Sequence, residues 1–125
     1  MGIALDEISL LESVLNEKFK QEELSFKMSI HFVKDRMNDP RNTPNISVTE
    51  LQGIFNRLTT IYISKLLKLK HNDTFNVRCQ RTDINIPCGV SMTKSTSGLD
   101  HRQIVAITVM RKKNFKSKDP VEFIV

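Results

Sequence analysis

Apolar positions along the chain change period once, near residue 74. Before that point they repeat at helical spacing. From Leu5 to Lys20, Ile8, Leu11, Leu15 and Phe19 form one stripe, which Leu10 and Val14 widen, and Asp6 and Glu7 sit where a helix dipole favours anions. Phe26, Ile30, Val33 and Met37 fall on one helical face and predict a second helix over 26–37. Asn38 to Asn45 (NDPRNTPN) is a loop, because Asp39 and Thr43 each precede a proline and are pushed out of the helical region. Ser47 opens a third helix: Glu50 completes a capping box, and Ile46 and Leu51 make a hydrophobic staple. Its stripe runs Leu51, Ile54, Phe55, Leu58, Ile61, Tyr62, Leu66 and Leu69, and the helix should end near 68–72. The weak helix formers from Thr59 to Ile63 predict a break or kink within it.

From Thr74 the period is two. Phe75, Val77 and Cys79 alternate with polar residues, and so do Ile84, Ile86, Cys88, Val90 and Met92 after a turn at 81–83. Pro87 inside the second run predicts an edge strand, or a strand interrupted near 87–89. Gln103 to Met110 is nearly all apolar and reads as a central strand buried on both faces, and Val121 to Val125 suits a short last strand. Helices followed by strands imply an α+β fold: three N-terminal helices packed on a three- to four-stranded antiparallel sheet. At 125 residues the chain is one domain, residues 1–125, with an acidic leading helix in 1–24 and a body in 25–125.

Charge adds a partner to this picture. Residues 1–24 carry six acids and two bases, net −4, which leaves +9 on the body against a total of +5. A basic body points to a polyanion such as RNA, with a solubilising surface as the plain alternative. No apolar run approaches a membrane span, and the acidic N-terminal stretch lacks the basic start of a secretory signal, so a cytoplasmic protein is expected. The apolar stripe of helix 5–20 suits a homodimer or protein-partner interface as well as core packing. Cys79 and Cys88 fit no metal spacing and are expected as reduced thiols.

The chemistry is narrowed by what is missing. There is no glycine-rich phosphate loop, no GxSxG, and no metal spacing among His31, His71 and His101, so no metal or cofactor is expected. Acid/base chemistry on a polyanion and binding without chemistry are left. Metal-free RNA cleavage needs a base for the 2′-OH, an acid for the leaving oxygen and cations for the phosphorane. His31, with Lys27, Lys34, Asp35 and Arg36 around it, is the richest cluster for that work. Arg111, Lys112, Lys113, Lys116 and Lys118 surround Phe115, which could stack on a base, although such a charged strand exit also blocks aggregation.

The pattern His31…Asp35-Arg36…Arg41…Ile46-Ser47…Glu50-Leu51, followed by Val105-Ala106-Ile107-Thr108-Val109, resembles the phage-borne branch of the barnase–EndoU–colicin–RelE superfamily. Endoribonucleases of the RegB and BrnT types, the latter toxins, look similar. The phrases NDPRN and VMRKKNF are also similar to those of small proteins of large tailed phages. The resemblance covers roughly residues 27–115 and rests on short motifs. It implies a RelE/RegB-like fold and metal-independent cleavage of RNA, most readily mRNA, in a host cell cytoplasm. It also implies His31 as general base or acid and Arg36 steadying the site or holding phosphate. Lys27, Arg41, Arg57, Arg111, Lys112, Lys113 and Phe115 are then the nucleic-acid-binding candidates. The partner of His31 is open among Arg57, Tyr62, His71 and Arg111. A member of the same fold that binds nucleic acid, or a host or virion protein, without cutting is the alternative.

Overall fold

The computed structural model describes residues 3–96 and 98–125. The fold is α+β. Helix α1 (Leu5–Phe19) ends in a 3-10 turn and leads into strand β1 (Leu24–Met28), a π-helical turn (Phe32–Arg36) and helix α2 (Val48–Leu66). Strands β2 (Thr74–Cys79), β3 (Ile84–Lys94), β4 (Asp100–Ala106), β5 (Met110–Arg111) and β6 (Glu122–Ile124) follow. The sheet order is β1-β4-β3-β2-β6, with β5 pairing β3 beyond the end of β4. Among the described residues no helix is long and apolar enough to cross a membrane.

The α1 stripe forms as expected. Ile8, Leu11, Leu15 and Phe19 are buried, with Leu15 fully so. Leu10 and Val14 do not widen it; they stay exposed because they lie on the helix's outer side. The start of α2 matches its signature in detail. The Glu50 N–H donates to Ser47 Oγ at 3.1 Å, the Ser47 N–H donates to Glu50 Oε1 at 3.0 Å, and Ile46 and Leu51 are buried. The expected kink falls at Tyr62, whose φ of −118° and ψ of 16° are non-helical.

Two expectations are corrected. The predicted helix over 26–37 is a strand followed by a short helical turn. Leu24, Phe26 and Met28 alternate inward and pair in parallel with Arg102, Ile104 and Ala106. Ile30, read as part of the helical face, is 74% exposed. Phe26 satisfies both periods, and the partner strand, some eighty residues away, decides between them. The sheet is consequently mixed and six-stranded, not purely antiparallel: β1–β4 and β2–β6 are parallel. The second correction concerns Pro87. Strand β3 is internal and continuous, and its partner breaks instead. Antiparallel pairing to β4 stops at Cys88 and resumes with β5 at Asn85, and Ile107, expected inside the central strand, is exposed in the gap. The Ile107 N–H donates to the Pro87 carbonyl. The nitrogen and carbonyl of one residue point to the same strand edge, so the N–H that proline lacks faces the place where no ladder bond is needed.

The buried residues of β1 to β4 and Phe123 form one core with α1 and α2. The chain after β5 lies against the sheet's other side. There Asn85 donates to the Lys112 carbonyl, Arg78 donates to the Phe115 carbonyl, and Arg78 pairs with Glu122. Cys79 and Cys88 are buried and free. They pair with Ile84 and Phe75 respectively, and so do not face each other across the hairpin.

Candidate nucleic-acid interface

The break between β4 and β5 opens one wall of a cleft of about 470 Å³, lined by His31, Arg36, Asp39, Arg41, Asn42, Thr108, Val109, Met110, Arg111 and Lys112. The opposite wall is the π-helical turn, which is anchored to the strand break through Ser29. Its N–H donates to the Ala106 carbonyl, its hydroxyl donates to the Ile107 carbonyl at 2.6 Å, and that hydroxyl oxygen accepts the Phe32 N–H. The turn is wound i to i+5, with the Met37 N–H on the Phe32 carbonyl. Such winding is rare and concentrates at functional sites. Here it has a direct effect: residues five apart, as well as those four apart, come to share a face. Arg36 Nε therefore donates to His31 Nε2 at 3.0 Å, while His31 Nδ1 meets Asp35 Oδ2 at 3.1 Å. An ionised carboxylate only accepts, so Nδ1 carries the imidazole hydrogen, and Nε2 presents its lone pair to the Arg36 donor. About half of the His31 side chain is open to solvent.

Asp39 organises the cations above this group. Its Oδ1 accepts the backbone N–H of Arg41, the local turn that an Asp before proline favours. Arg41 closes a fork on the same carboxylate, and Arg36 reaches it at 3.7 Å. The Arg41 side-chain hydrogen bond, its backbone N–H and the two guanidinium charges hold Asp39 down at about 2. Asn42, which is buried, ties the loop down. It donates to the Arg36 carbonyl and accepts the Arg111 N–H.

Arg111 lines the cleft, but its guanidinium is spent on the fold. It donates to the carbonyls of Pro44, Thr82 and Asn45 and to both oxygens of Glu50, and only 9% of its side chain is exposed. Burial pushes the Glu50 carboxyl up, but donors from Arg111 and Ser47 outweigh that and hold it below its ordinary value.

The cleft thus brings together His31, Arg36, Arg41, Arg111 and Lys112 of the residues expected from sequence. Lys27, Arg57, Lys113 and Phe115 do not line it. Lys27 is exposed on β1 and Lys113 on the turn after β5. Arg57 points at Cys79 Sγ, at 3.4 Å. Phe115 is half-buried, with its carbonyl held by Arg78. Of the open partners for His31, Tyr62 donates to the Ile124 carbonyl and His71 accepts the Met92 N–H, so only Arg111 reaches the cleft, in its structural role. Sequence reasoning passed over Asp39 and Asn42. The Asp-Pro step was a signal for the first; the second had none beyond its place in a turn. No protein family, curated protein or solved structure matches this chain.

Proposed function

We propose that the protein is a metal-independent endoribonuclease that cleaves RNA through the 2′-OH at this cleft. The observation that carries the reading is the convergence of His31, paired to Asp35 and Arg36, with the cations Arg41 and Lys112 in one cleft. His31 is the imidazole among the lining side chains, a group able both to take and to return a proton. A phosphate entering the cleft draws Arg36 from Nε2 onto a non-bridging oxygen, which frees the lone pair. His31 then takes the 2′-OH proton as the 2′ oxygen attacks phosphorus; the bond to the 5′ oxygen breaks, that oxygen leaves as an alcohol on receiving the His31 proton through water, and a 2′,3′-cyclic phosphate forms. Arg36, Arg41 and Lys112 stabilise the charge on the phosphorane. Asp35 holds the tautomer. Helices packed against a sheet are compatible with a RelE/RegB-like arrangement, although the parallel β1–β4 pair and β6 are additions to the expected plan. Substrate mRNA and a host cytoplasm follow from the sequence resemblance.

The test is incubation of the purified protein with a labelled single-stranded RNA, with and without chelator. Cleavage that survives chelation is expected, and His31→Ala should lower it at least about 100-fold. Equal cleavage by the variant sinks the catalytic assignment. The second reading, RNA binding without cleavage, is favoured by one observation: Arg36 and Arg41 are both occupied by Asp39 in the free protein. Its signature is salt-dependent binding with no products.

A further inference from the structure

At the other end of β1, away from the cleft, three side chains stand in a relay. Ser25 Oγ lies 2.9 Å from His101 Nε2, and His101 Nδ1 lies 3.0 Å from Glu23 Oε2. The backbone sets this order. Leu24 is paired with Arg102 in the parallel β1–β4 ladder, and the Arg102 N–H donates to the Glu23 carbonyl. Glu23, in a left-handed conformation (φ 55°), ends the turn just before β1, and His101 and Gln103 project from one face of β4. The carboxylate can only accept, so the hydrogen is on Nδ1 and Nε2 accepts from the serine hydroxyl. The group is partly open: 29% of the His101 side chain and 26% of that of Glu23 are exposed. It borders a shallow cleft of about 610 Å³ that Lys20 and Thr96 also line.

We propose that Ser25, His101 and Glu23 form a second reactive centre, with Ser25 as a nucleophile toward carboxylic esters. A nucleophile in hydrogen-bond reach of a base that a third group orients is the arrangement such chemistry requires. Ser25 Oγ bonds to the acyl carbon as its proton passes to His101 Nε2. The tetrahedral intermediate expels the alkoxide, which takes that proton and leaves as the alcohol. Water then attacks acyl-Ser25, again giving its proton to His101, which returns it to Ser25 Oγ as the carboxylic acid departs. The Lys20 ammonium, which has no ion pair among the described residues, lines the same cleft and is a cation available to the developing oxyanion. Glu23 is a positioning residue.

The experiment treats the full chain with p-nitrophenyl acetate and, separately, with a fluorophosphonate probe located by peptide mass spectrometry. A label on Ser25 and a burst of nitrophenol are expected. Ser25→Ala should abolish both, and His101→Ala should slow the burst about 100-fold or more. Glu23→Gln should lower kcat with KM unchanged, a split that loosened strand pairing alone would not give. The variants' thermal midpoints show that they are folded. A label on another residue, hydrolysis by folded Ser25→Ala equal to that of the original, or no label on the folded original chain overturns the proposal.

Discussion

Two sets of arginines meet at the cleft and are held in opposite ways. Arg36 and Arg41 share Asp39 at the surface, where three-quarters of the Arg41 side chain is exposed. Arg111 is nearly buried and divided among three carbonyls and Glu50. The Arg41 end of that pair faces water while Asp39 is 15% exposed, so an incoming anion can reach the guanidinium without displacing the carboxylate. A buried guanidinium cannot exchange its partners without leaving carbonyls and a carboxylate unpaired. The same residue type, within one cleft, is thus ligand-ready in one place and structural in the other. The count of positive charges in a sequence says nothing about which is which.

The comparison is broken most severely at Arg111. Arg111→Ala should destabilise the fold by about 3 kcal/mol, read as a lowered denaturation midpoint, because Glu50 and three carbonyls lose their donor. An unaltered midpoint would place Arg111 with the ligand-ready set. Asn42→Ala should cost about 1–3 kcal/mol in the same measurement, since the Arg111 N–H and the Arg36 carbonyl lose a buried partner. Arg41→Ala should lower the midpoint far less than either. It should instead weaken RNA binding and reduce the slope of log affinity against log salt by about 1. Asp39→Asn should act in the other direction, tightening RNA binding at low salt, because both arginines are released.

Acid gives the smallest effect. Asp39 is held at about 2 by Arg41 and Arg36, while Glu122 is held below its ordinary 4.5 by the Arg78 hydrogen bond and by Asn76. Glu50 also ends below 4.5, its burial outweighed by Arg111 and Ser47. Each folded carboxyl sits below its unfolded value, so the unfolded chain takes up protons first. Stability from these groups is therefore complete above about pH 5 and is lost as pH falls from 4.5 toward 2. A denaturation midpoint followed over that range checks it, and Arg111→Ala should flatten the part that belongs to Glu50.

The start of α2 was legible because everything it needs lies within six residues: the Ser47 cap, the Glu50 box and the Ile46–Leu51 staple are local. The α1 stripe was legible because four residues at helical spacing meet a core wherever that core lies. The segment 24–37 was not. Its apolar residues satisfy a helical period through Phe26, Val33 and Met37 and a strand period through Leu24, Phe26 and Met28, and only the pairing with β4 chooses. The site inherited that uncertainty. His31 and Arg36, five apart, come together only because the turn is π-wound, and the winding is braced by Ser29 against the carbonyls of Ala106 and Ile107.

By itself the sequence determined the α+β class, the helix that begins at Ser47, a kink within 59–63, the period-two strands and a charged segment around His31. Each depends on interactions between near neighbours, whose strength does not wait for the rest of the chain. The tertiary structure alone decided that β1 is a strand, that Pro87 sits in an interior strand opposite a gap, and that Arg111 is spent while Arg36 and Arg41 remain accessible. Most of these depend on partners about twenty to eighty residues away, and a side chain's burial and hydrogen-bond partners exist only once those distant segments have met.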